Sequence, residues 1–256
     1  MVHDLAIHVP VIALFSNSDS EGVVHAAGSL LQHLAVPTEN KSLLGGDAVN
    51  VCVKQLFLEN ENLQYVSLRV LRQLARGSKG NSKLLIDECP FTHASVLDRI
   101  ISLGQGGASQ GKKALLQAEI ARTVVSLCRE FKVSDLDDQQ EDMKICQERL
   151  LSHVGLADPL VAATEAKLSP FTVSEAWFGL ALLSHSARGA QEVYRAIKSR
   201  TSLDTIFSIL RETSVATPSI LEAEANAEAR AENGAKGGSK DTANALLMAS
   251  LLLRHL

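Results

Sequence analysis

The sequence predicts an all-α chain built from stacked helical units. Three observations point there. Hydrophobic residues make up 46% of the 256 residues but aromatics only 4%, so Leu, Ala, Val and Ile must build the core. That balance favours helices over an aromatic-rich sandwich or barrel. Long segments with helical apolar spacing recur, and the first two end on the related strings Leu31-Gln32-His33-Leu34-Ala35 and Leu71-Arg72-Gln73-Leu74-Ala75. These strings lie one repeat period apart, at 40 residues between His33 and Gln73.

The chain begins near a helix around Asp4 to Phe15. Its apolar stretch has no preceding Lys or Arg and is interrupted by Asp4 and Pro10, so it does not read as a signal peptide. Val24 to Ala35 has a wide apolar face and predicts the first long helix. A short polar turn follows, then Asn40-Lys41-Ser42-Leu43-Leu44, where Asn40 suits a helix N-cap. Leu63 to Ala75 is the second long helix, followed by Asn81-Ser82-Lys83-Leu84-Leu85 with Asn81 in the same role. Each unit thus reads as a short helix, a middle helix and a long third helix. Further third helices are expected over Ala114 to Arg129, Val173 to Ala187 and Thr242 to Leu256.

Aligned helix ends give the anchors His33, Gln73, Leu127, His185 and His255, spaced by 40, 54, 58 and 70 residues. The first spacing matches armadillo and HEAT arrays, and the others require insertions. A Gly-rich loop over 104–111 and a biased segment over 215–241, expected to be disordered, supply two of them. An acidic loop over 134–142 separates units. The expected architecture is an armadillo/HEAT-like right-handed α-solenoid of about four to five three-helix repeats, with residues 1–256 as one domain. Both ends look atypical for a capped solenoid, which suggests a fragment of a longer array or a last helix that docks on a partner.

Chemistry is sparsely written. The net charge of −4 leaves no footprint for nucleic-acid binding. Cys52, Cys89, Cys128 and Cys146 are widely spaced, which suits buried thiols in a reducing compartment rather than disulfides or zinc. The longest apolar run near the C-terminus, Ala245 to Leu253, falls short of the roughly 20 residues a membrane span needs. A cytoplasmic protein with no integral membrane segment is expected. Gly106 to Lys112 fits G-x-x-x-x-G-K, but Lys113 stands where a magnesium-binding Ser or Thr belongs. Thr92 to Leu103 before it is spaced as a helix, not as the strand a phosphate-binding loop needs. Ser184-His185-Ser186 lacks the elbow and orienting group of a nucleophile. No catalytic residue, cofactor or metal is expected.

Binding residues are therefore sought on the third helices, whose concave face is the usual binding surface of a solenoid. His33, Gln73, His185 and His255 recur at matching places and could form a polar ladder for an extended segment. The simpler reading is that each satisfies its own helix end. Arg69, Arg72 and Arg76 share one helix face and could grip carboxylates in bidentate fashion, or simply be solvated. Trp177 and Phe178 are expected in the core.

Leu31 to Lys41 (LQHLAVPTENK) resembles the L-x-N-L-A-x-P-x-x-N-K string in armadillo repeats of small-GTPase GDP-dissociation stimulators, particularly fungal ones. Leu71 to Ala75, Asn81 to Lys83 and Ala118 to Arg129 are similar. The resemblance is clear over about residues 20–90. It implies a helical adaptor that binds small GTPases of Rho or Rap type, often with their basic, prenylated tails, and promotes GDP release or escorts the GTPase to membranes. The Asn usual on the family's third helix is replaced here by His33, Gln73, Leu127 and His185. The alternative is a generic armadillo scaffold or chaperone-associated adaptor, of the Hsp70-exchange-factor or myosin-chaperone kind.

Overall fold

The computed structural model describes residues 6–87, 95–105, 110–131, 141–166, 168–198 and 237–255. Among these residues it holds twelve α-helices and no β-strand. They fall into two compact units, residues 1–131 and 132–256.

Unit one contains α1 (His8–Asn17), α2 (Glu21–Leu34), α3 (Thr38–Leu56), α4 (Glu61–Ala75), α5 (Lys79–Ile86), α6 (Val96–Gln105) and α7 (Gln110–Glu130). Pro10 is tolerated in the first turn of α1, where its missing N–H has no intrahelical acceptor. Val24, Ala27, Gly28 and Leu31 make the buried side of α2. Asn60 caps α4, accepting from the N–H groups of Asn62 (3.0 Å) and Leu63 (3.2 Å). Ser95 and Asp98 cap α6 reciprocally, the Ser95 Oγ accepting from Asp98 N at 2.9 Å. The long helices pack in sequence, α2 on α4 and α4 on α7.

Two expectations are corrected here. The short and middle helices expected after Ala35 are one continuous helix, α3, of 19 residues. Its interior Gly45-Gly46 does not break it, because its apolar residues, Leu44 through Leu56, are held on neighbouring helices. Nor do Asn40 and Asn81 serve as N-caps. Asn40 lies inside α3, and its Nδ2 donates to Leu34 O at the end of α2 (2.9 Å). Asn81 lies inside α5, and its Nδ2 donates to Leu74 O (3.2 Å) and Lys41 O (3.1 Å). Both amides close the C-terminus of the preceding long helix, whose last carbonyls have no intrahelical donor.

The same device recurs through unit one. Gln55 Nε2 donates to Phe15 O (2.6 Å) at the end of α1, while Gln55 Oε1 accepts from Ser67 Oγ (2.7 Å). Arg99 Nε donates to Leu56 O at the end of α3 (3.0 Å). Ser82 Oγ donates to Ala75 O (3.0 Å), and the Lys41 ammonium donates to Arg76 O, both at the end of α4. Lys41 is buried, and burial first, then the Arg76 charge, lowers its pKa, against Glu130.

Unit two contains α8 (Glu141–Ser152), α9 (Asp158–Glu165), α10 (Pro170–Ser184), α11 (Ala187–Ile197) and α12 (Gly237–His255). Helix α10 packs on α9, α11 and α12; its Trp177 is in the core as expected, whereas Phe178, expected there too, is only half-buried. Ser169 caps its start, with Pro170 in the first turn. The turn after α8 is set by Gly155, whose positive φ of 84° suits glycine. Its N–H donates to Glu192 Oε1 (2.6 Å), and Arg195 ties Glu192 (2.6 Å) to Asp158 (2.9 Å). Gly77, at φ 71°, likewise gives its N–H to a carboxylate, Glu130 Oε2 at 3.0 Å.

Of the expected loops, Gly104 and Gln105 end α6 while Gln110 and Gly111 open α7. Glu141 and Asp142 form the first turn of α8, and 237–241 belong to α12. Residues 106–109, 134–140 and 215–236 lie outside the described residues.

Gly28 allows α1, α2 and α4 to meet, since a Cβ there would be driven into Val66 Cγ1 and to 2.6 Å from Phe15 Cε2. Gly28→Ala should therefore destabilise unit one by about 1–3 kcal/mol, although alanine favours an isolated helix. A raised urea midpoint for this variant would contradict the packing described. Lys41 gives a pH-dependent check. Between its lowered folded pKa and the ordinary 10.5, the unfolded chain binds more protons, so stability rises with pH across that window. Comparing denaturation midpoints of wild type and Lys41→Met up to pH 10.5 should show this rise only in the wild type.

Candidate functional site

The open face of α4 is set by what its other sides bury. Val66, Val70, Leu71, Gln73 and Leu74 are enclosed, with α2 and α3 packed on the helix and α7 beside it. Asn62, Tyr65, Arg69, Arg72 and Arg76 remain at least partly open. Their i, i+3, i+4 spacing makes one stripe along the helix and its C-cap.

The arginines are held rather than loose. The Arg69 guanidinium lies 5.6 Å from the centre of the Tyr65 ring. Arg72 Nε donates to Glu119 Oε2 of α7 at 2.8 Å, and Arg122 Nη1 donates to Glu119 Oε1 at 3.2 Å. Glu119 is only 5% exposed, so its two guanidinium partners compensate a nearly buried carboxylate. Thr123 Oγ1 donates to Glu119 O one turn back along α7 (2.8 Å). Arg76 is exposed at the C-cap, where its carbonyl receives Lys41.

Toward the start of α4 the stripe meets a hollow of about 370 Å³, lined by Glu21, Gly22 and His25 of α2 and Asn62, Leu63 and Val66 of α4. Asn62 Nδ2 donates to Glu21 Oε1 (2.5 Å) across its rim. The face thus combines a shallow mixed hollow with a cationic strip.

The expected polar ladder does not share one exposure. His33 is exposed, and its Nδ1 donates to Ser29 O of its own helix at 2.7 Å. Gln73 is buried, and Leu127 is fully so. In unit two, His185 is half-buried at the C-cap of α10. His255 ends α12, with its side chain outside the described residues. The physical reason is register. The open stripe of α4 passes through Arg72, so its neighbour Gln73 is turned into the interface. Arg69, Arg72 and Arg76 do lie together, and Glu119, which holds Arg72, was missed. Its signal was an acid inside the otherwise apolar spacing of Ala118 to Val125.

Elsewhere the reactive groups are enclosed. Ser184 Oγ donates to Leu180 O (2.8 Å), and Ser186 Oγ accepts from Gly189 N (3.0 Å) as a cap. Cys52, Cys128 and Cys146 are buried free thiols, and burial pushes Cys128 up to about 12 and Cys52 higher still. Cys89 lies outside the described residues. Helix α6 precedes the Gly106–Lys112 string where a phosphate loop would need a strand. Among the described residues, no group of three or more His, Cys, Asp or Glu is placed to hold a metal, and no helix is long and apolar enough to cross a membrane.

Glu119→Ala should cost on the order of 3 kcal/mol, because two facing guanidinium groups lose their counter-charge. Glu119→Gln, which keeps an acceptor, should cost less. Equal urea midpoints for both variants and wild type would show that the carboxylate does not hold this face.

No protein-family model matches the sequence, and no curated protein matches it. The reading of the face rests on its own geometry and on the repeat strings.

Proposed function

We propose that the chain is an armadillo-like α-solenoid adaptor, without covalent catalysis, that binds a small GTPase of Rho or Rap type through the third-helix face of unit one. The carrying observation is the open stripe of α4, where Tyr65 holds Arg69, Glu119 holds Arg72 and Arg76 is exposed. A surface with fixed arginines, a nearby hollow and no enclosed reaction centre suits recognition better than turnover.

The repeat reading is supported by which residues touch. Gln55 reaches Phe15 and Asn81 reaches Lys41, each pair 40 residues apart. Asn62 reaches Glu21 over 41 residues, and Arg99 reaches Leu56 over 43. Contacts at offsets of 40 to 43 residues are what stacking of like units of about that length produces. The helix order also fits: α5, α6, α7 and α8, α9, α10 are each two shorter helices followed by a long one.

Such an adaptor would act by differential affinity. Binding the nucleotide-free GTPase more tightly than the GDP form shifts it toward release, and equal affinity shifts nothing. Replacement of the family's usual Asn by His33 and by the buried Gln73 favours binding with weak or absent exchange activity. The stripe is cationic, so it suits the body of the GTPase rather than a basic tail.

The test is release of a fluorescent GDP analogue from Rho-, Rac- and Rap-type GTPases, prenylated and unprenylated, alongside calorimetry. Acceleration, or binding without acceleration, is expected for at least one. Neither effect with any member would overturn the GTPase reading and leave the general scaffold, for which chaperones and myosin are the next partners to titrate.

A further inference from the structure

We propose that the α4–α7 face captures a short acidic segment of a protein partner, with an apolar side chain of that segment seated in the hollow beside Leu63 and Val66. This rests on reading the face as a recognition surface, and it names the chemistry recognised.

Charge is the first argument. Arg69, Arg72 and Arg76 follow one another along α4 and its C-cap, with Arg122 of α7 beside them; Glu119 pairs with Arg72 and Arg122, and Glu130 is bound to the Gly77 N–H. Residues 1–131 carry twelve Asp and Glu against twelve Lys and Arg, so unit one is neutral and the cationic stripe is local within it. A local patch of this kind draws in a short anionic segment, whereas tight binding of a long nucleic acid needs a basic surface that extends well beyond it.

The type of cation is the second. Every positive group on the stripe is an arginine, whose planar fork matches a carboxylate in two parallel hydrogen bonds where lysine offers a point charge. Arg72 gives Glu119 its Nε, so its two terminal nitrogens remain for a ligand at a side chain 17% exposed. Arg69 rests on the Tyr65 ring and keeps its N–H groups for a ligand too. Because packing already restricts Arg69 and Arg72, less side-chain entropy is lost on binding.

The third argument is continuity. Asn62 of the hollow, Tyr65 and Arg69 follow one another at i, i+3 and i+7 on the open side of α4, so hollow and stripe adjoin. The hollow faces the α2 side of α4 and Arg72 faces α7, leaving Asn62, Arg69 and Arg76 along the centre. A bound segment would therefore place its apolar residue toward Leu63 and its carboxylates toward Arg76.

The experiment uses the full chain and a fluorescent peptide rich in Asp and Glu with one Leu, read by anisotropy. Saturable binding that weakens with salt is expected. Arg69→Gln with Arg76→Gln should lower affinity roughly tenfold, the effect of two partly exposed ion pairs. Arg69→Glu with Arg76→Glu should abolish binding, while Lys144→Glu in unit two should not change it. The peptide with Leu replaced by Ser should bind more weakly. Circular dichroism and melting of each variant confirm that it is folded. Equal binding of an Asn/Gln version of the peptide, no response to the arginine changes in folded protein, or an oligonucleotide that binds as tightly would each overturn the proposal. Peptide binding with no GTPase binding would overturn only the GTPase reading. GTPase binding untouched by the arginine changes would overturn only this one.

Discussion

The constraint on which unit one depends is the orphaned carbonyl at a helix C-terminus. Every α-helix ends with carbonyl groups that no later N–H of the same helix can reach. A fold of many short helices multiplies that problem, and burying the ends forbids water from solving it. Here side chains from other helical segments supply donors: Gln55 to Phe15, Asn40 to Leu34, Arg99 to Leu56, and Asn81, Ser82 and Lys41 to the last carbonyls of α4. Each such bond contributes about 1 kcal/mol net, but leaving the group unmet costs more. The directionality of these bonds fixes register in a way that apolar contact between Leu, Ala and Val cannot. Gly28 then lets the long helices approach closely enough for that register to hold.

This arrangement explains why the sequence could be read for elements and misread for caps. Long apolar-periodic segments were legible because burial follows the helical period, and α2, α4, α7, α10 and α12 lie where the pattern places them. Asn40 and Asn81 were legible as polar landmarks of the repeat. Their direction was not, since an amide that can accept at a helix start can also donate to the end of the previous helix. Only tertiary structure distinguishes the two. Asn60, by contrast, acts locally as an N-cap and needs nothing but its own two following N–H groups.

The candidate face shows the same divide. That Arg69, Arg72 and Arg76 share a side of α4 follows from spacing alone. That Arg72 points at a carboxylate 47 residues away does not, because it depends on how α7 lies against α4. Of the anchors chosen by aligning helix ends, Gln73 falls one position from the open stripe of α4, and on a helix one position is about 100° of rotation. Gln73 therefore went into the interface while Arg72 stayed at its edge. Alignment of repeats finds equivalent residues. It does not say which of them face outward.

Arg72 belongs to both the structure and the surface, and this decides how the face can be dissected. Its guanidinium compensates Glu119, a carboxylate that loses solvation on folding and would be strongly unfavourable without a counter-charge. Removing Arg72 leaves Arg122 alone at 3.2 Å, so lost binding in such a variant would mix altered packing with altered recognition. Arg69 and Arg76 carry no such burden. One lies on an aromatic ring at the surface, and the other contributes its backbone carbonyl, rather than its side chain, to the fold. The Arg72–Glu119 pair ties α4 to α7, while the spacing of Arg69 and Arg76 comes from α4 itself. In the binding mode proposed above, Arg69 and Arg76 would meet an acidic segment at the spacing the helix sets, with charge at the rim setting the rate of encounter more than the final fit.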